Sequence, residues 1–249
     1  MSKFEIKGFT DDTLLGGKVK IRQPKKGFRA TIDAVLLAAS VPAGTGERIL
    51  ELGVGSGGAS LCLCYRVAGS RITGIDIKPE LIALAKENIK LNGFEERVEA
   101  KIGNVATGLP KCFVASFHHV ILNPPYLPRN TEHVSPNLDR AIATKEGQAD
   151  LKRWIKYAHD SLLHKGRMSV IHRADRLNEL IQILSPNLGA VSIFPLWPRE
   201  GVEAKRVIVQ ARKGVKSPSR ILTGLTLHNR DGSYTDETKR VLKGGEIII

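Results

Sequence analysis

Apolar residues recur along the chain in two rhythms. Short β-branched runs at Arg48–Leu52, Arg71–Ile77, Val98–Ile102, Val120–Leu122 and Arg167–Ile171 predict strands. Between them, Ala59–Ala68, Pro79–Leu91 and Ala149–Leu163 carry apolar positions at helical spacing. The second helix has the clearest punctuation. Pro79 suits a first turn, Leu81, Leu84, Ala85 and Ile89 form one face, and Asn92-Gly93 ends it. In the third, Leu151, Trp154, Ile155, Ala158 and Leu162 repeat at the same period, and Trp154 reads as core. Alternation of strand and helix implies right-handed crossovers and a parallel, doubly wound sheet.

Past a helix predicted at Arg176–Leu184, the pattern changes. Strands expected at Ala190–Phe194 and Arg206–Ala211 are joined by a loop with Pro195, Trp197, Pro198 and Gly201, too short for a crossover helix. Such strands pair antiparallel. The expected fold class is therefore α/β: a seven-stranded, mostly parallel, doubly wound sheet ending in an antiparallel hairpin, a Rossmann-like arrangement of the class I methyltransferase kind. Residues 1–30 are expected to form a basic arm or small hairpin before one domain over 31–249. The turn-rich stretch 213–249 suggests no fold.

Composition changes this picture in one respect. Hydrophobic residues make up 42% of 249, which is ordinary, but 38 Lys and Arg face 25 Asp and Glu, for a net charge of +13. The excess is clustered. Residues 1–30 hold eight basic residues against three acidic, and residues 199–220 hold seven against two. Lys25, Lys26 and Arg29 in the first cluster, and Arg199, Lys205 and Arg206 in the second, are candidate contacts to a polyanion such as RNA. Trp197, beside Arg199, is a candidate for base stacking. Cys62, Cys64 and Cys112 are too few for a disulfide framework, lack zinc spacing, and read as small buried hydrophobes. No metal site is expected. The opening MSKFEIKGFT lacks the apolar core of a signal peptide, and no apolar run is long enough to span a bilayer, so a cytoplasmic protein without membrane contact is expected.

The first strand runs into Glu51-Leu52-Gly53-Val54-Gly55-Ser56-Gly57-Gly58. Gly53, Gly55 and Gly57 permit a tight turn and close approach of backbone to a ligand. Gly53-x-Gly55-x-x-Gly58 also satisfies the dinucleotide fingerprint, with Asp76 at the distance where ribose is bound. Glu51 tilts the choice, because a carboxylate there repels a pyrophosphate and suits the cationic amino-acid tail of S-adenosylmethionine. Asp76 can accept both ribose hydroxyls, and Ile77 offers adenine an apolar wall.

At the end of the fourth strand stands Asn123-Pro124-Pro125-Tyr126. Open α/β sheets bind ligands at that edge. An adenine amino group is a poor nucleophile because its lone pair is delocalised into the ring. The Asn123 side-chain carbonyl and the Pro124 backbone carbonyl can each accept one of its two N–H bonds and turn that lone pair toward a sulfonium methyl. Pro124 and Pro125 stiffen the backbone that holds these acceptors, and Tyr126 offers a face to a base turned out of its stack. His118 and His119 begin that strand at the opposite end and read as structural. His172 and Arg173 follow the fifth strand at the ligand edge and are candidate substrate contacts.

These residues resemble the S-adenosylmethionine-dependent amino-methyltransferases with the NPPY signature, and over nearly the whole chain the bacterial tRNA(Val) adenine-N6-methyltransferases. Those enzymes modify the adenosine on the 3′ side of the anticodon. The segment Gln23-Pro24-Lys25-Lys26-Gly27-Phe28-Arg29-Ala30-Thr31-Ile32-Asp33-Ala34-Val35-Leu36-Leu37-Ala38 looks like that family's N-terminal signature. The resemblance implies that Gln23, Phe28, Arg29, Thr31 and Asp33 lie near the cofactor, and that Asn104-Val105 follows the third strand where the family usually has an acid. An amide oxygen there accepts the same hydrogen bond without charge assistance. Read alone, Ile32–Ala39 is an amphipathic core helix. The implied activity is methylation of an adenosine N6 in tRNA. Three rivals are methylation of another RNA base, methylation of a release-factor glutamine, and a non-catalytic RNA-binding protein that kept the fold.

Overall fold

A computed structural model describes residues 8–25, 29–126, 149–184, 186 and 188–249. Two of the candidate residues, Lys26 and Phe28, lie outside the described residues. The chain begins with an antiparallel hairpin of β1 (Phe9–Leu14) and β2 (Val19–Pro24). Asn88 and Asn92 fasten it to the helix they sit on, accepting from Arg22 and Lys20 N–H and donating to the carbonyls of the same two residues.

Helix α1 (Ile32–Ser40) leads to β3 (Arg48–Leu52), and the alternating pattern then follows the expected order. It runs α2 (Gly58–Arg66), β4 (Arg71–Asp76), α3 (Pro79–Leu91), β5 (Val98–Ile102), β6 (Phe117–Leu122), α4 (Leu151–Ser161), β7 (Leu162–Arg173), α5 (Leu177–Leu184), β8 (Leu188–Trp197) and β9 (Arg206–Lys213). Strands β3 to β7 are parallel, in the order β7-β6-β3-β4-β5. Strand β9 enters antiparallel between β7 and β8. Crossing from β5 back to β6 reverses the strand order beside β3, which opens a crevice at the carboxyl edge between β3 and β6.

All seven expected strands form. Two more, β10 (Arg220–Ile221) and β11 (Leu225–Thr226), extend the edge along β8 to make nine. Pro195 and Trp197 belong to β8 rather than to the loop after it. Proline cannot donate to a neighbouring strand, and the pairings of β10 and β11 fall on either side of Pro195. The final stretch is thus not without structure: it adds those strands and α6 (Asp236–Leu242).

Alternation along the strands divides the core. Ile49, Ile72, Ile121 and Ile208 face α1 and α2, while Leu50, Leu52, Val120 and Val170 face α4 and α5. Side chains two apart on a strand share a face, so Glu51 points with Ile49 toward α1 and α2.

Candidate active site

Glu51 is buried under the glycine loop and accepts a hydrogen bond from Ser60 in the first turn of α2. Burial pushes its carboxyl up to about 8, against the opposing pull of the Ser60 bonds, and the nearby Asp76 adds to the rise.

The loop has the conformation its glycines allow. Gly53, Gly55 and Gly57 have φ of 74°, 54° and 95°. The N–H groups of Gly53 and Val54 both donate to the Ile75 carbonyl, at 2.8 and 2.9 Å. Trp154 closes the loop from the α4 side, where a Cβ on Gly53 would lie 3.1 Å from its ring. Gly74 permits the opposite approach, since a Cβ there would lie 2.5 Å from Val54 Cγ2.

Asp76 ends β4. Its Oδ2 accepts from Gly55 N–H and its Oδ1 from Lys78 N–H, each at 3.0 Å. Burial raises its pKa, and the two backbone donors oppose that rise. Ile77 beside it is half exposed, an apolar surface open to a ligand. Asn104 and Val105 follow β5, and Asn104 Oδ1 accepts from Ala106 N–H at 2.8 Å, shaping its own turn.

Asn123-Pro124-Pro125-Tyr126 leaves the carboxyl end of β6. Asn123 lines one cleft with Glu51, Gly53, Ser56 and Thr31. The Tyr126 hydroxyl sits within donating distance of two acceptors, 2.7 Å from Asp33 Oδ2 and 2.5 Å from Asn123 Oδ1. Burial, reinforced by the Asp33 charge, pushes the phenol well above its usual range, so it keeps its proton. Arg206 pairs with Asp33 at 3.2 Å and lays its guanidinium 4.6 Å from the centre of the Tyr126 ring. His172 meets that ring edge-on at 5.5 Å. Burial lowers His172 to about 4, helped by Arg176, and the neutral ring accepts from Arg173 N–H.

The N-terminal signature packs against the same cleft, though several of its polar groups are occupied within the protein. Gln23 is buried, accepting from Ala30 N–H at 2.7 Å and donating to Asp12. Thr31 caps α1 through Asp33 N–H. Arg29 pairs with Asp12 at 2.7 Å. Of the basic candidates, Lys25, Arg199 and Lys205 are exposed, whereas Arg206 is turned inward onto Tyr126. Trp197 is partly buried, and its indole N–H donates to the Thr223 carbonyl. His119 is buried against Glu47 at 2.9 Å, and His118 accepts from Arg48 N–H, as expected of structural groups. Cys62 and Cys64 are buried, but Cys112 is exposed.

Two neighbours escaped the sequence reading. Ser60 was detectable as a polar residue on a buried helix face. Arg176, which donates to the Tyr126 carbonyl at 3.2 Å, had no local signal. Asp33 was expected beside the cofactor, and its bond to Tyr126 spans ninety-three residues. Among the described residues no group of His, Cys, Asp or Glu could hold a metal ion, and no helix is long and apolar enough to cross a membrane.

The crevice and its carboxylates define a class of protein, and comparison with known proteins bears this out. The family model described as a methyltransferase domain matches residues 43–193, and the chain belongs to that family. It is an S-adenosylmethionine-dependent methyltransferase. The tRNA1(Val) (adenine(37)-N6)-methyltransferase of Actinobacillus pleuropneumoniae serotype 7 is 26% identical, over 90% of this chain and 92% of that one. A candidate protein N5-glutamine methyltransferase of Methanocaldococcus jannaschii is 31% identical, over 59% of this chain and 72% of that one. A crystal structure of a predicted O-methyltransferase from Agrobacterium tumefaciens superposes with a TM-score of 0.74 at 25% identity, over 87% of this chain and 99% of that one.

Proposed function

We propose that this enzyme methylates the N6 amino group of an adenosine in tRNA, in the anticodon loop of a valine tRNA, in the cytoplasm. The observation that carries the reading is the placement of Asn123 in one cleft with Glu51 and Gly53. A target amine held by the tetrapeptide would then face the bound cofactor.

S-adenosylmethionine supplies the reaction with a methyl group on a cationic sulfur. In this reading Glu51 meets the charged amino-acid tail, the loop at Gly53, Gly55 and Gly57 lies against it, and Asp76 accepts the ribose hydroxyls. Ile77 flanks the adenine, with Asn104 and Val105 at its edge and Gln23, Phe28, Thr31 and Asp33 closing the site. Asn123 and the Pro124 carbonyl hold the two N–H bonds of the target amine, and Pro125 and Tyr126 hold those acceptors in place. Preorganised acceptors of this kind need no metal and no strong base. In this reading the exposed Lys25, Arg199 and Lys205 are the first to meet phosphates, while Arg29 is paired with Asp12 and Arg206 faces Tyr126. The likeness to the adenine-N6 relative covers 90% of the chain, whereas that to the candidate glutamine methyltransferase covers 59%.

The test incubates the purified enzyme with S-adenosylmethionine and individual tRNA transcripts, followed by nucleoside mass spectrometry. N6-methyladenosine in the valine transcript is expected. A release factor methylated in place of every tRNA would move the assignment to glutamine.

A further inference from the structure

We propose that Arg167 and Arg220, with Arg212 and the hydroxyls of Ser169 and Ser192, form a phosphate-binding site that holds the backbone of the RNA substrate away from the reacting base. This rests on the RNA reading above, although the site lies toward the amino ends of the parallel strands and apart from Tyr126.

Sheet pairing sets these residues side by side. Arg167 on β7 stands opposite Arg212 on β9. Two residues nearer the active site, Ser169, Gln210 and Ser192 form a row across β7, β9 and β8, and Arg220 on β10 continues it. Side chains opposite one another on neighbouring strands share a face. Two arginines reach over this row from either side. Arg167 Nη1 donates to Gln210 Oε1 at 3.1 Å, and Arg220 Nη2 donates to Ser192 Oγ at 3.1 Å. Because β9 and β8 are neighbours, the two guanidiniums come to rest roughly one strand spacing apart, about 5 Å.

Like charges facing each other in a sheet repel, and here nothing paired with them answers the charge. Among the described residues none of the three arginines joins an ion pair. Burial lowers the pKa of Arg167, and Arg212 and Arg220 lower it further. Glu47 opposes them but is engaged by His119 at 2.9 Å. Two hydroxyls stand ready in the same row. Among the described residues the buried Ser169 Oγ has no hydrogen-bond partner. Ser192 Oγ accepts from Arg220 and keeps its own proton to give. Gln210 offers no competing acceptor, since Arg167 holds its oxygen. Guanidinium forks and hydroxyl donors around one point suit a phosphate, whose free oxygens accept from both and whose charge balances theirs.

Strand β9 gives the distance to the chemistry. Gln210 lies four residues from Arg206, which covers Tyr126, so the row is about 13 Å along the strand from the catalytic end. Helix α1 covers Ile208 in between. The phosphate is therefore not one that flanks the reacting base. The exposed Arg220, on the edge strand, is where the RNA backbone enters.

The test replaces Arg167 and Arg220 together by Gln. Affinity for tRNA should fall about tenfold, the effect of losing a charged hydrogen-bonded contact. The log–log salt slope should become shallower by about 0.7–0.9, the share of one phosphate. Affinity for a single strand holding only the target adenosine and one nucleotide on each side should be unchanged, because that strand does not reach the row. Binding of S-adenosylmethionine checks the fold. Equal losses on both RNAs would make the arginines supports of the fold, and no loss on either would leave them idle; each result overturns the proposal. A second readout uses the wild type. The Nε–H signals of Arg167 and Arg220, assigned by their loss in the single Gln variants, should shift as inorganic phosphate is added and stay as chloride is added. The absence of a phosphate-specific shift overturns the proposal even if the double variant fails to fold. A tRNA bound through these arginines that gains no methyl group sinks the function reading and leaves the site standing. A methylated tRNA with no response from either arginine does the reverse.

Discussion

Gly55 donates its backbone N–H to Oδ2 of Asp76 across 3.0 Å, so the glycine loop and the carboxylate of the next strand form one unit. On the proposed reading, Asp76→Ala removes a ribose acceptor, and it also releases the loop. Hydrogen bonds to charged groups are worth roughly 1.5–3 kcal/mol each, so S-adenosylmethionine should bind at least about tenfold more weakly. Calorimetric titration measures this directly, and an unchanged dissociation constant would exclude Asp76 from the site.

On the proposed reading, Glu51 should link cofactor binding to pH. Its folded pKa of about 8 lies above the ordinary 4.5, so the folded state without ligand holds the extra proton. The stability this confers is fully present below pH 4.5 and declines as pH rises toward 8. Glu51→Gln should remove that slope from a plot of melting temperature against pH. In the wild type, a cationic tail must displace the proton, so cofactor affinity should rise from pH 6 toward 8 with proton release in buffers of differing ionisation enthalpy. Binding without proton uptake or release at pH 7 would show that no cation meets Glu51.

Asn123→Ala should leave cofactor affinity within about twofold yet reduce turnover by roughly 10²–10³-fold, the range for one preorganised polar contact in a transition state. Single-turnover rates at saturating cofactor separate the two effects. A variant that turns over normally would exclude the amide from the chemistry.

The approach of Gly74 to Val54 tests the frame beneath the loop. Alanine there puts a carbon 2.5 Å from Val54 Cγ2. Overpacking of this kind costs about 1–3 kcal/mol and should lower the melting temperature by roughly 5 °C. Val54→Ala in the same chain should recover part of the loss. Failure of the second change to help would place the strain elsewhere.

Binding of tRNA should weaken with salt, with a log–log slope of about −0.7 for each single-stranded phosphate contacted. Replacing Lys25, Arg199 and Lys205 together by Gln should flatten that slope without changing which nucleotide is modified, because phosphate contacts position while the pocket specifies. The inward Arg206 should behave differently, lowering turnover more than affinity.

Much of this was legible in the sequence, and the reason differs by element. Arg48–Leu52, Pro79–Leu91 and Val98–Ile102 match their expected bounds because period and punctuation are local. Asn123-Pro124-Pro125-Tyr126 was legible because its chemistry is contiguous. Strands β10 and β11 were not, since two residues carry no period and form only where β8 offers an edge. The inward turn of Arg206 was equally hidden. A cationic cluster looks the same in sequence whether its members face solvent or a buried carboxylate.

The end of the chain bears on how the site is assembled. The last carbonyls of α1 are taken up by groups far along the chain: Gln210 donates to Ser40, Arg66 to Ala38 and Val41, and Ile247 N–H to Ala39 at 2.8 Å. Helix α1 carries Asp33. The carboxyl end of α1 is thus shared among three separate parts of the chain, so that losing Ile247 alone would expose only the Ala39 carbonyl, while Arg66 and Gln210 would go on holding the helix that carries Asp33.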